Sequence, residues 1–351
     1  MARPFWIFTL LASAAIAADE PRKYEVVTPK PTGIVGIDIN EKGDVLGYEW
    51  VEEKELPGVI SQVPFLAKGG KADAMARLPL LPTYTFTFPA ALSDTGLVVG
   101  HVGKPPGRPG TRVLMRTQAF AWDEAGGIRG LGVLPDDWAS IASGVTRDGR
   151  CISGYSVGEN RVRACIWERD GDGWKGTALP HAEQLRSNVV PISPDGRYIA
   201  AVENLTPCLW TRGADGAWTR EAIGGSNSIF PRAVDDAGRV VGLKHGDNDG
   251  HNLPVLWTRE GGCKTLELPE GYVGGEAVAI NARGEAVGFV DGPHGGEIGP
   301  NGFVYADGKL RIITEGGPTF SSATGINDRG QIVGVVEQDE EAPPPARPAT
   351  P

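Results

Sequence analysis

One pattern returns seven times along the chain, and it narrows the possible folds more than any other feature. A small or apolar residue and an apolar one lead into a short polar turn. A glycine follows, then a short apolar strand that usually ends at another glycine. The copies are IDINEKGDVLGY (37–48), AALSDTGLVVGH (90–101), SGVTRDGRCISGY (143–155), VPISPDGRYIAA (190–201), RAVDDAGRVVGL (232–243), VAINARGEAVGF (278–289) and TGINDRGQIVGV (324–335). Their turn glycines, Gly43, Gly96, Gly149, Gly196, Gly238, Gly284 and Gly330, lie 53, 53, 47, 42, 46 and 46 residues apart. Each copy reads as a β-hairpin whose glycine takes a positive φ. The later glycines, Gly47, Gly100, Gly242, Gly288 and Gly334, fall inside strands and point to close backbone approach.

A second unit lies between most copies: AFAW (119–122), ACIW (164–167), PCLW (207–210), PVLW (254–257) and GFVY (302–305). A glycine-containing turn and another apolar strand follow it. In the first repeat the unit is degenerate, VPFLAK (63–68), without the Trp. Each repeat therefore holds four strands in two hairpins, the size of a propeller blade. With YEVVTP (24–29) read as a lone fourth strand and the last copy as a lone first hairpin, the chain holds twenty-seven strands, one short of seven four-stranded blades. The expectation is an all-β, seven-bladed β-propeller closed by its two ends. A six-bladed ring with the last hairpin left outside is the alternative. Composition agrees: 50 Gly and 28 Pro in 351 residues exclude a mainly helical chain, and a 40% hydrophobic share fills a core.

Residues 1–17 read as a signal peptide, with Arg3 before an apolar run and Ala15-Ile16-Ala17 before a cut between Ala17 and Ala18. Residues 18–336 form the propeller, and 337–351, acidic and rich in proline, a disordered tail. The apolar run is too short to span a bilayer, so the expected product is secreted or periplasmic and is not inserted in a membrane. Loss of Arg3 takes the net charge from −10 to −11, which disfavours nucleic acid as a partner.

The repeat resembles the HAF-repeat family of predicted extracellular bacterial proteins. GINDRGQIVG (325–334) matches that family's hairpin wording, and QAFAW (118–122) matches its second half with Gln in place of His. SPDGRYIAA (193–201) is similar to propeller repeats of the TolB type. Both resemblances imply a propeller, and neither carries a catalytic residue.

A unique site on a repeat fold belongs where the repeat is broken. The connections from strand two to three and from strand four to one share a face, and the long insertions 104–116, 245–252 and 292–301 fall there. The candidate binding residues are His101, His245, Asp247, Asp249, His251 and His294. Asp247 and Asp249 offer carboxylates to a hard cation such as calcium, and His245 and His251 suit a transition metal. The spacing fits no EF-hand loop, and the same run is ordinary turn chemistry. No motif calls for a cofactor.

The chain has four cysteines, Cys151, Cys165, Cys208 and Cys263, and the first three occupy strand positions that are apolar in other repeats. Small buried residues are the leading reading, and a Cys151–Cys165 bridge the other. Trp122, Trp167, Trp210 and Trp257 recur at one position, as residues packed between blades do. No nucleophile-elbow, zinc-protease or phosphate-loop pattern occurs. The functional reading is a monomeric propeller that binds a protein or carbohydrate ligand. The alternative is a carbohydrate-active hydrolase or lyase on the same fold. A catalytic site would bring ionisable groups with shifted pKa values within reach of one another, and a binding module would scatter them.

Overall fold

The computed structural model describes residues 34–337 apart from 53–59, 72–73, 80, 82–83, 85, 104–116, 187–188, 226–227, 247–249, 293–299 and 314–319. Blade 1 is β1 (Ile34–Ile39), β2 (Val45–Glu52), β3 (Ile60–Ala67) and β4 (Met75–Arg77). Blade 2 is β5 (Phe86–Leu92), β6 (Val98–Gly103), β7 (Thr117–Asp123) and β8 (Gly127–Gly130). Blade 3 is β9 (Ala139–Val145), β10 (Cys151–Val157), β11 (Val162–Asp170) and β12 (Gly173–Ala178). Blade 4 is β13 (Tyr198–Glu203), β14 (Thr206–Arg212) and β15 (Trp218–Ala222). Blade 5 is β16 (Phe230–Val234), β17 (Val240–His245), β18 (Asn252–Thr258) and β19 (Gly262–Thr265). Blade 6 is β20 (Gly274–Ile280), β21 (Ala286–Asp291), β22 (Asn301–Ala306) and β23 (Lys309–Ile312). A two-stranded sheet, β24 (Phe320–Ile326) and β25 (Ile332–Glu337), follows. Every sheet is antiparallel, each strand paired with its neighbour in sequence.

The expectation of seven four-stranded blades is corrected here. Among the described residues there are six blades, the count of the alternative, and the last sheet has only two strands. That hairpin does not stand apart from the ring. Thr324 Oγ1 donates to Gly36 O (2.9 Å) and Asn327 Nδ2 to Asn40 O (3.0 Å), so the hairpin is bonded to blade 1. The proposed closing strand at 24–29 lies outside the described residues, as do the expected signal peptide and tail.

The strand glycines show why the blades form as they do. Five of the six inner strands β1, β5, β9, β16 and β20, and β24 likewise, carry a register shift near their centre. The bulge pushes a carbonyl onto strand two, where a Cβ on Gly47, Gly100, Gly154, Gly242, Gly288 or Gly334 would lie 1.9–2.1 Å from that oxygen. Only glycine fits. Blade 4 has Ala201 at this position, and its inner segment touches β13 only through two isolated bridges, Leu185 to Glu203 and Ile192 to Ile199. Pro191 and Pro194 further deprive that segment of donors. The seven turn glycines all have φ between +69° and +85°.

The core lies between blades. Trp122, Trp167, Trp210 and Trp257 are 0–7% exposed, each packed against the preceding blade, as is Tyr305. The packing reading of these aromatics therefore holds. The four cysteines are free, and Cys151, Cys165 and Cys208 are buried. Cys151 pairs with Glu168 and Cys165 with Gly154, an odd offset that sends the two side chains to opposite faces of the sheet. Cys151 joins the core between blades 3 and 4, and Cys165 the core between blades 2 and 3, so no bridge can form.

Gly288→Ala is expected to cost about 3 kcal/mol or more, because the methyl group would overlap the Glu276 carbonyl and backbone has to move. Denaturant melting of the variant against the parent chain checks it.

Candidate functional site

Each of the seven hairpin turns opens with a buried polar residue: Asn40, Ser93, Thr146, Ser193, Asp235, Asn281 and Asn327, all 0–4% exposed. These side chains accept N–H groups of their own turns, as Asn40 Oδ1 does from Lys42 (3.0 Å) and Asp44 (2.9 Å). The following residue of each turn lies on the rim of the central channel. In chain order these are Glu41, Asp94, Arg147, Pro194, Asp236, Ala282 and Asp328, all but Asp236 lining a cavity of about 230 Å³.

Arg147 is the only cation in that series, and its three nitrogens reach carboxylates from three separate turns. Nε faces Asp94 Oδ2 at 3.4 Å, and the two terminal nitrogens face Asp236 Oδ2 at 3.6 Å and Asp328 Oδ2 at 2.9 Å. The other oxygen of each carboxylate accepts a backbone N–H from the neighbouring turn: Asp94 from Glu41 (2.8 Å), Asp236 from Asp195 (2.8 Å) and Asp328 from Ala282 (2.7 Å). Glu41 Oε1 accepts the N–H of Asp328 (2.7 Å), which links the two-stranded sheet to blade 1. The rim is thus laced around by hydrogen bonds and crossed by one guanidinium.

Four carboxylates against one arginine leave an excess of negative charge. Burial raises the Glu41 carboxyl, helped by the Asp328 and Asp94 charges and opposed by the accepted Asp328 N–H and by Arg147. Burial also raises Asp236, with the Asp195 charge adding and the accepted Asp195 N–H and Arg147 opposing. Below the rim, Asp38 stands where other repeats have Ala91, Gly144, Pro191, Ala233, Ala279 and Gly325. Its oxygens accept Ile39 N–H (2.8 Å) and Leu92 N–H (2.9 Å). Burial pushes its carboxyl up to about 6, the Asp94 charge adding to that. Across the channel Arg232 is ion-paired with Glu276.

The described sequence-derived candidates, His101, His245 and His251, lie toward the other face. His245 ends β17, and His251 immediately precedes β18. His245 Nδ1 is 2.9 Å from Asn252 Oδ1, and its ring packs edge-on to Phe230 at 4.9 Å. His101 is three blades away, stacked on Phe88 at 5.2 Å, and burial lowers its pKa to about 4. It is therefore a neutral imidazole at physiological pH. Asp247, Asp249 and His294 lie outside the described residues. Among the described residues no group of three or more His, Cys, Asp or Glu is placed to hold a metal ion. Sequence reading missed the rim because its residue types differ from turn to turn. Stacking the seven copies and reading the position after the buried polar residue would have exposed it.

No family model matches the chain, and no curated protein matches it. Solved structures do. The β-propeller domain of the Trilobed protease from Pyrococcus furiosus, which has an open velcro topology, is 10% identical, with a TM-score of 0.54 over 82% of this chain and 84% of that one. A prolyl endopeptidase is 13% identical, with a TM-score of 0.51 over 88% of this chain and 48% of that one. TolB from Acinetobacter baumannii is 10% identical, with a TM-score of 0.49 over 85% of this chain, which spans 65% of TolB's length. At these identities the likeness is one of fold, a β-propeller. No helix among the described residues is long and apolar enough to cross a membrane.

Two outcomes follow from the rim. Arg147→Ala leaves three carboxylates facing one another. It is expected to cost about 1–2 kcal/mol, with added salt recovering more stability in the variant than in the parent. Melting in low and high salt checks this. Asp38 binds its proton more tightly folded than unfolded, so its contribution is full below pH 3.8 and lost as pH rises through about 6. Asp38→Asn forfeits one of the two accepted N–H bonds at every pH, but its stability relative to the parent is expected to rise by up to about 3 kcal/mol as pH goes from 4 to 7. Paired pH-dependent melts test it.

Proposed function

We propose that this protein is an exported, non-enzymatic propeller that binds a ligand or protein partner on the face carrying the long connections. The observation that supports this reading is the state of the channel rim. Arg147 stops the turn-side mouth, and the rim carboxylates it meets are each committed to it and to a neighbouring turn's N–H. Groups held in this way brace a ring, whereas a reaction needs an acid or base free to exchange protons with substrate. The opposite face has connections of unequal length on a rigid support, the usual place for a specific site. The HAF-repeat resemblance and the signal peptide carry the extracellular or periplasmic part of the reading.

One observation favours the second reading, a carbohydrate-active hydrolase or lyase. The channel does bring ionisable groups within reach of one another, with Asp38 raised to about 6, in the range of a general acid. Against that, both Asp38 oxygens accept backbone N–H groups.

A panel of bacterial and plant polysaccharides, assayed for binding and for released ends, separates the two. Binding without turnover is expected. Turnover that Asp38→Asn abolishes would establish the hydrolase or lyase in its place.

A further inference from the structure

Strand two of an ordinary blade is hydrogen-bonded on both edges, to strand one and to strand three. β25 is a strand two by every internal comparison, yet among the described residues it pairs only with β24. Its sequence, IVGVVE, is that of an interior strand: it matches VVGLKH of β17 and AVGFVD of β21. Proteins blunt free edges with lysine, proline or a bulge, and β25 carries none of these.

The packing beside it tells the same story. The residue that follows strand four of each blade is Leu78, Leu131, Leu179, Ile223, Leu266 or Ile313, held by an equivalent N–H bond to strand three. The first five are 1–6% exposed, because each is covered by an aromatic residue on strand three of the next blade: Trp122, Trp167, Trp210, Trp257 and Tyr305. Ile313 is only half-buried, and its cluster, with Val287, Val304 and Ile332, contains no aromatic residue. Among the described residues, no aromatic side chain fills this slot as one fills every other.

The protein's own repeats define what fits. Strand three reads AFAW, ACIW, PCLW, PVLW or GFVY, antiparallel to strand two. Its aromatic residue stands opposite Val98, Ile152, Ile199, Val240 or Ala286, the counterparts of Ile332. We propose that the free edge of β25 is a docking site for an extended segment of another polypeptide, which adds as an antiparallel third strand. An aromatic residue of that segment sits opposite Ile332 over Ile313, and a smaller apolar residue two places earlier sits opposite Gly334. This is strand addition to a sheet edge, with main-chain bonds supplying affinity and the aromatic pocket supplying specificity. β1 begins at Ile34, and the four residues 30–33 reach roughly 14 Å at most, too short to recross a six-residue strand, so chain reach alone bars 24–29 from lying antiparallel beside β25 and still joining β1. The sequence after Glu337 soon meets Pro343-Pro344-Pro345, which cannot pair within a sheet. The inference concerns a different surface from the proposed ligand face, and polysaccharide turnover would leave it standing.

The test uses the full chain and a fluorescein-labelled peptide with the sequence of Thr117–Asp123, TQAFAWD, read by fluorescence anisotropy. Saturable binding is expected. The same peptide with Ser in place of Trp is expected to bind at least about tenfold more weakly, since it forfeits the burial of an aromatic side chain. Ile313→Ser in the protein should weaken the Trp peptide at least about fivefold, measured well below the melting temperature of the unliganded variant. If that variant does not fold, the comparison of the two peptides on the unaltered chain decides. The proposal is overturned by absent saturation, or by equal affinity of the two peptides. Binding that appears only in a chain beginning at Ile34 overturns it in favour of the protein's own N-terminal segment. A dimer that the peptide splits overturns it in favour of a second copy.

Discussion

Blade construction depends on one steric contact. The bulged inner strand drives a carbonyl oxygen to within about 2 Å of where a side chain on strand two would begin, so strand two carries glycine there in five of six blades and in the last hairpin. The contact is what allows the inner strand to bend toward the channel while staying bonded to its neighbour. Blade 4 shows the converse. With Ala201 in the glycine position, and two prolines in the approach, the inner strand is reduced to two isolated bridges. Removing the glycine and losing the ladder go together because the same atoms need the same space.

Upon those blades the turns build a rim with a different logic. The buried polar residue that opens each turn is almost uniform in role, an Asn, Ser, Thr or Asp accepting its own turn's N–H groups. The next residue is not uniform at all. Acid, base, proline and alanine alternate around the ring, and the single guanidinium of Arg147 joins turns from blade 2, blade 5 and the final hairpin. Its position in the third turn has no meaning along the chain. It becomes the centre of a cluster only when seven turns face one axis.

The last hairpin links these two levels. Its turn completes the rim, bonding to blade 1 through Asn327 and Asp328, while among the described residues its sheet holds two strands. Closure of the ring at its axis and completion of the sheet at its periphery are therefore separate matters in this protein. The first is achieved by side-chain hydrogen bonds near the channel. The second would need a third strand, and the half-buried Ile313 marks where it would lie.

The sequence by itself determined the four-strand unit, the turn glycines with positive φ, the glycines of close approach and the burial of the repeated tryptophans. All of these are local or periodic: a glycine beside a bulge and an aromatic residue at strand spacing obey rules that hold within one repeat. The blade count, the separation of Cys151 from Cys165 and the rim around Arg147 were decided only by the tertiary structure. Counting strands cannot say whether a lone hairpin finds partners, since pairing depends on which chain ends meet. Likewise, Asp94, Arg147, Asp236 and Asp328 are spread over more than two hundred residues and meet only because the ring brings equivalent turns to one mouth. Charge is felt through space, and the sequence does not state the distances.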